Sequence, residues 1–286
     1  MKSGEDALIS SYTTDVEEYL DRVGAFLGRR PVEHSILLST AASRIGEAQA
    51  GAQSNLWLWV EDDEEVVATA QQTPPRGAYL STGPADAMRA LARTLWQLRP
   101  GLAGVGGVSP SPTEFATEWS RLGGPVAIPA MRLGLYAARE VRIPPGIPGR
   151  LRLATSDDLW LLRSWGRQLV AEAGLAPGAA DEIGPRVDAG LLVVWEVDGA
   201  AVSMAAVTVA QAGVSRVQLV YTPPEHRQRG YASACVASLT ARELETPGRT
   251  CMLNADLANP TSNNIYQAIG YRRVGDALDL RFDTSS

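Results

Sequence analysis

Val217-Gln-Leu-Val-Tyr-Thr-Pro-Pro-Glu-His-Arg-Gln-Arg-Gly-Tyr-Ala-Ser233 decides how this chain is read. Its opening residues alternate as in a β-strand, with Val217, Leu219 and Tyr221 on one face and Arg216, Gln218 and Val220 on the other. Pro223 and Pro224 carry no N–H and end strand pairing. A basic, glycine-containing turn follows, and a helix pattern begins at once, with Ala232, Cys235, Val236 and Leu239 along one side. Backbone N–H groups at such a turn and helix start point outward unpaired and bind phosphate oxygens. Gly230 puts no side chain between the backbone and an anion. Ala232 keeps the first helical turn small, and Arg227 and Arg229 add positive charge. The turn from Arg227 through Gln228, Arg229, Gly230, Tyr231 and Ala232 to Ser233 therefore reads as a pyrophosphate cradle.

A second segment, Met252-Leu-Asn-Ala-Asp-Leu-Ala-Asn-Pro-Thr-Ser-Asn-Asn-Ile-Tyr-Gln-Ala-Ile-Gly-Tyr271, repeats the layout of strand, cap-rich turn and helix. Asn259 suits the N-cap and Pro260 the first helical turn. Ile265, Tyr266 and Ile269 mark a buried side, and Gly270 ends the helix. By itself Tyr266 reads as a core aromatic.

The spacing Arg227-x-x-Gly230-x-Ala232, set between a strand and a helix, resembles the acyl-CoA signature of the GNAT superfamily of acyl-CoA-dependent N-acyltransferases. The second segment resembles a further block of the same superfamily. That resemblance implies an α/β fold with a mixed sheet and helices on both sides. It implies that Asn259 and Ser262 face the pantetheine arm of acetyl-CoA and that Tyr266 faces the thioester sulfur. It further implies that the cradle strand is splayed from its neighbour, so that backbone groups of Val220, Tyr221 and Thr222 hold the pantetheine and polarise the thioester carbonyl. Such oxyanion donors are often worth ~3 kcal/mol of barrier. Tyr266 is then placed to give a proton to the leaving sulfur. The cradle strand offers Arg216 and Gln218 where some relatives carry a glutamate. Asp256 is the nearest carboxylate to act as general base, and it reads equally as an Asx-type cap of its loop. Glu196 is a more remote candidate.

Composition sets the outer limits. The 286 residues suffice for one large domain or two ordinary ones, with 45% apolar and 20% charged residues. A net charge of −6 argues against a nucleic-acid surface. No apolar run is long enough to span a membrane, and Met1-Lys-Ser-Gly-Glu-Asp lacks the core of a secretion signal, so the expected location is the cytoplasm. Cys235 and Cys251 read as small core residues, and His34 and His226 are too isolated for a zinc site, so no metal is expected.

The run Pro144 to Pro148 followed by Gly149 is a linker, dividing the chain into domains 1–143 and 144–286. The second half reads β-α-β-β-β-α-β-α-β, with a hairpin across Asp198-Gly199. The first half echoes it, in strands at Leu56–Val60 and Val66–Ala70 and a helix from Asp86 to Leu98. Ser111-Pro-Thr, Trp119 and Gly123 repeat the layout of Asn259-Pro-Thr, Tyr266 and Gly270. The cradle is missing from the echo, since Ser81-Thr-Gly-Pro-Ala85 stands at that turn and Glu118 near the tyrosine position. The expectation is a tandem of GNAT-like domains, a degenerate first and an intact second. Tandems of this kind occur in the superfamily, mycothiol synthases among them. The implied activity is acetyl transfer from acetyl-CoA to a primary amine, on a small molecule or a peptide. A chain that kept the cradle without a base would instead be a non-catalytic acyl-CoA sensor or assembly module.

Overall fold

The computed structural model describes residues 8–46, 54–174, 178 and 180–283. Among these the chain forms two compact units, each an α/β assembly around a mixed sheet. No helix of the described residues is long and apolar enough to cross a membrane.

The first unit runs β1 (Ile9–Thr13), α1 (Val16–Gly28), α2 (Ser35–Ala42), β2 (Leu56–Asp62), β3 (Glu65–Gln72), β4 (Ala78–Leu80), α3 (Ala85–Leu98), β5 (Gly104–Val108), α4 (Ser111–Arg121). Then come β6 (Ala127–Ala138) and β7 (Arg150–Leu153). The chain continues with α5 (Leu159–Ala173), α6 (Ile183–Asp188), β8 (Leu192–Val197), β9 (Ala200–Val207), β10 (Val214–Tyr221), α7 (Tyr231–Leu244), β11 (Thr250–Asp256), α8 (Pro260–Ala268) and β12 (Arg272–Phe282). From β1 to α4 and from β7 to α8 the order of elements is the same. The pairing repeats as well: three antiparallel contacts, then a parallel one, β4 with β5 and β10 with β11. Both opening hairpins turn through two residues with positive φ, Asp63-Glu64 (46° and 65°) and Asp198-Gly199 (49° and 80°). That backbone matches the right-handed twist of the flanking strands.

Each sheet is covered on both faces, and its strands are apolar accordingly. In Leu56-Trp-Leu-Trp-Val60, Leu56, Leu58 and Val60 enter the core beneath α3 and α4, while Trp57 and Trp59 pack against α1 and α2. In β8, Val193 and Trp195 face α7, and Leu192 and Val194 face α5 and α6.

Sequence reading assigned no element to residues 8–42, although the signals are there. Asp15 caps α1 by accepting the amides of Glu17 and Glu18, and Val16, Tyr19, Val23 and Leu27 form its buried stripe. Nor do the compact units divide at the proline run. The first takes residues to Leu135, Asp256–Ala258 and Gly275 onward; the second takes Tyr136–Ala255 and Asn259–Val274. The last strand thus returns to the first unit, where Ala277–Arg281 pairs antiparallel with β5. Phe282, 3% exposed, stacks on Trp119 with ring centroids 5.1 Å apart and planes 9° apart. Phe282→Ala removes one face of that stack. It should cost about 3–5 kcal/mol and lower the urea midpoint followed by tryptophan fluorescence. An unchanged midpoint would show that β12 contributes little to the first core.

Candidate functional site

The cradle strand breaks its own alternation. β10 pairs with β9 through Val217–Val207 and Gln218–Ala206, then resumes one residue late at Tyr221–Met204. The extra residue forms a bulge at Leu219, whose φ of 52° is a left-handed value unfavourable for leucine. The expectation that Val217, Leu219 and Tyr221 share a face is therefore corrected. Val217 and Val220 pack on the α7 side, Leu219 and Tyr221 on the α5 side. On its other edge β10 pairs with β11 only from Val214 to Arg216. Past Arg216 these two strands part, while the ladder to β9 continues to Tyr221.

The far end of β10 is held firmly. Ser203 Oγ donates to the Tyr221 carbonyl (3.0 Å) and shares a hydrogen bond with Thr222 Oγ1 (2.8 Å). The Tyr221 phenol lies 2.9 Å from Gln168 Oε1 and 3.0 Å from Glu172 Oε1. Burial and the neighbouring Glu172 carboxylate raise its pKa. Sequence reasoning missed this support. Gln168 and Glu172 are ordinary polar residues of an amphipathic helix, and nothing local marks their partner.

Beyond a 3₁₀ turn at Pro224–His226 the chain enters the cradle, with Gln228 at φ 62° and Gly230 at φ 79°. No side chain caps α7, and the first bond into it runs from the Ala234 amide to the Gly230 carbonyl (3.0 Å). The amides from Gln228 to Ser233 precede that bond, as the unpaired donors of a helix start. The two cradle arginines differ in what they touch. Arg227 is engaged by the protein: Nε donates to the Thr222 carbonyl (2.8 Å), Nη2 pairs with Glu172 (2.6 Å), and the guanidinium lies 5.6 Å above the Tyr221 ring. It braces the turn. Arg229 is exposed and has no hydrogen-bond or ion-pair partner among the described residues. Gly230 is needed for its left-handed φ and because a Cβ there would lie 2.6 Å from Ile147 Cδ1.

At the start of α8, Asn259 accepts the Ser262 amide through Oδ1 (3.1 Å), and its carbonyl accepts Asn263 Nδ2 (2.7 Å). The Tyr136 phenol donates to Asn263 Oδ1 (2.7 Å), which fixes the helix start from within the second unit. Tyr266 is 9% exposed, in the α7 core, with its ring 6.2 Å from Tyr271. Its hydroxyl has no hydrogen-bond partner among the described residues, whereas those of Tyr136 and Tyr271 meet Asn263 and Thr240, each at 2.7 Å. Burial pushes the Tyr266 phenol up to about 12. On the opposite face, Gln218 Nε2 and Asn254 Oδ1 are buried without partners. Gln218 and Asn254 each lie two residues past the last paired positions, Arg216 and Met252, where the strands have parted.

The carboxylates are otherwise occupied. Asp256 Oδ1 accepts the Ala258 amide (2.9 Å), in the Asx-type geometry that its loop position also allowed. Glu196 bridges Arg150 (2.9 Å) and Arg152 (2.5 Å), whose guanidinium groups, Arg152 foremost, hold its pKa down. Among the described residues no cluster of three or more His, Cys, Asp or Glu side chains is built to hold a metal ion. In the first unit, Glu118 lies seven residues after Ser111, as Tyr266 lies seven after Asn259. It is 2% exposed and paired with Arg121 (2.8 Å) and Arg93 (2.7 Å). Hydrogen bonding, first of all from Arg121, pulls its pKa down to about 2.

Comparison with known proteins agrees with this architecture. Residues 196–278 match the family described as FR47-like protein. No curated protein matches the chain by sequence. Among solved structures, a GNAT-family acetyltransferase from Colwellia psychrerythraea superposes with a TM-score of 0.60 at 9% identity, over 97% of this chain and 100% of that one. A GCN5-related N-acetyltransferase from Sphaerobacter thermophilus gives 0.62 at 15% identity, over 96% and 95%. A tandem GNAT protein from the clavulanic acid biosynthesis pathway gives 0.57 at 12%, over 96% and 98%. The chain has the tandem GNAT acetyltransferase fold, with an FR47-like C-terminal region.

Proposed function

We propose that this chain is an acyl-CoA-dependent N-acetyltransferase that acetylates a primary amine, on a small molecule or a peptide. Its donor site lies in the second half, and its first half is a degenerate copy. A cytoplasmic location accompanies that reading. The observation that carries it is the course of β10, which bulges at Leu219, parts from β11 after Arg216 and runs into a turn of unpaired amides. This geometry suits a long, thin donor with a diphosphate at one end.

Acetyl-CoA supplies an activated acyl thioester; the remaining work falls to the chain. The amides from Gln228 to Ser233 take up the diphosphate oxygens, and Arg229 adds charge at the rim. Backbone groups of Val220, Tyr221 and Thr222, free of β11, hold the pantetheine and polarise the thioester carbonyl. Asn259 and Ser262 border the arm. Tyr266, a phenol that is protonated at neutral pH, gives its proton to the sulfur as the C–N bond forms and the C–S bond breaks, and regains one from solvent. Gln218 and Asn254 offer unpaired hydrogen-bonding atoms to the acceptor. Asp256 is tied to Ala258, so the amine loses its proton to solvent. Asp256→Asn should then keep most of its turnover.

A panel of primary amines with acetyl-CoA, followed by release of free thiol, tests the assignment. Amine-dependent thiol release supports it. The engaged state of Asp256 and Glu196 favours a second reading, a non-catalytic acyl-CoA sensor. CoA binding with no turnover across the panel would select that reading instead.

A further inference from the structure

We propose that the first unit carries a binding site of its own, for a small molecule with a carboxylate or phosphate head on an apolar body. A cavity of about 540 Å³ opens between the turn from β4 to α3 and the start of α4, a volume within the usual range of ligand pockets. In the repeat, these two places correspond to the cradle and to the start of α8. The basic turn is gone, yet the space is kept and relined.

The lining is cationic. Arg29 and Arg30 stand on it, and no carboxylate is among its residues. Arg30 shares its charge with Glu33 at 3.2 Å. The Arg29 guanidinium is exposed and has no partner among the described residues. Neither helix facing the cavity is capped by its N-cap residue, whereas Asp15 caps α1 and Asn259 caps α8; in the first turn of α3 only the Ala87 amide is taken by a side chain, Asp86 Oδ1 (3.0 Å). The independent mark of a ligand is Ser111. It lines the cavity, is 2% exposed, and its hydroxyl has no hydrogen-bond partner among the described residues. Buried hydroxyls are normally satisfied, and an oxyanion in the cavity would satisfy this one together with the Ser111 amide.

The other walls are rigid and partly apolar. His34 ties α2 to the opposite turn: Nδ1 meets the Leu27 carbonyl (3.2 Å), Nε2 lies 3.0 Å from Thr82 Oγ1, and the Thr82 amide donates to Nε2 (3.3 Å). Burial lowers the pKa of this imidazole, so the positive charge comes from the arginines. Phe26 stacks on His34 at 5.4 Å and, with Val67, supplies the apolar surface. CoA itself does not fit this chemistry. Pro84, Pro110 and Pro112 remove amides at both helix starts, so this turn lacks the continuous run of donors that Gln228–Ser233 offers a diphosphate.

The site is independent of acetyl transfer, and its test needs no acceptor. Phenyl phosphate and benzoate are titrated into the full chain by calorimetry, with benzyl alcohol as the uncharged counterpart. At least one aryl anion should bind with a dissociation constant of about 1 mM or tighter, and benzyl alcohol should not. The tighter of the two anions identifies the head group. Arg29→Glu should weaken that binding at least tenfold at an unchanged melting temperature, Ser111→Ala should weaken it about fivefold, and Arg229→Glu, in the second unit, should leave it alone. Absence of binding by both anions, binding indifferent to Arg29→Glu and Ser111→Ala, or loss on Arg229→Glu instead would overturn the proposal.

Discussion

Tyr266→Phe should lower turnover about a hundredfold while CoA affinity stays at the parent value. The substitution keeps the ring that packs in the α7 core, 6.2 Å from Tyr271, and removes only the hydroxyl. That hydroxyl has no partner among the described residues, so its loss orphans no other group and the fold should be as stable as before. A residue of structural value alone would leave turnover unchanged. A proton donor to the thiolate would not, because its effect is confined to the step in which the C–S bond breaks. The measurement is turnover with a confirmed amine beside calorimetry with CoA. Unaltered turnover would return Tyr266 to the role of a core aromatic. A joint collapse of affinity and rate would mean that the hydroxyl holds the pantetheine and that the proton comes from elsewhere.

Gly230→Glu should weaken CoA binding at least tenfold, about 1.4 kcal/mol. Two effects act together. A carboxylate is brought to the diphosphate, and a Cβ is forced onto a residue at φ 79°, 2.6 Å from Ile147 Cδ1. The second effect disturbs the turn itself, so the melting temperature should fall as well. Arg229→Glu separates the two. Arg229 is exposed and without a partner among the described residues, so reversing its charge leaves the turn standing and changes only the field at the phosphates. CoA affinity should fall in this variant too, at an unchanged melting temperature, and more at low salt than at high. If both variants bind CoA as the parent does, the cradle is not where the donor sits.

The contrast between Arg227 and Arg229 shows where sequence reading stops. Two residues apart on one turn, they look equivalent as cations beside a glycine. Glu172, 55 residues upstream of Arg227, takes its guanidinium and turns it into a brace. Asp256 meets the same limit: its local sequence suits a base and a turn cap alike, and the folded chain gives its Oδ1 the Ala258 amide.

What the sequence determined by itself was local. Strand, turn, glycine and helix at Val217–Ser233, the Asn259 cap, the Asp198-Gly199 hairpin and the tandem order of elements all depend on residues within a few positions of one another. Periodicity, φ preference and capping act over that range. Tertiary structure decided the rest. Leu219 takes a left-handed φ where β10, freed from β11 after Arg216, follows β9 from Val217 to Tyr221 with one residue extra. The last strand pairs with β5 of the first unit because Leu280 and Phe282 are buried there, around Trp119. Tyr266 lacks a hydrogen bond because its neighbours in the folded core offer none. Each of these outcomes is set by a partner far away in the chain, and a strand or a side chain carries no local record of which partner packing will give it.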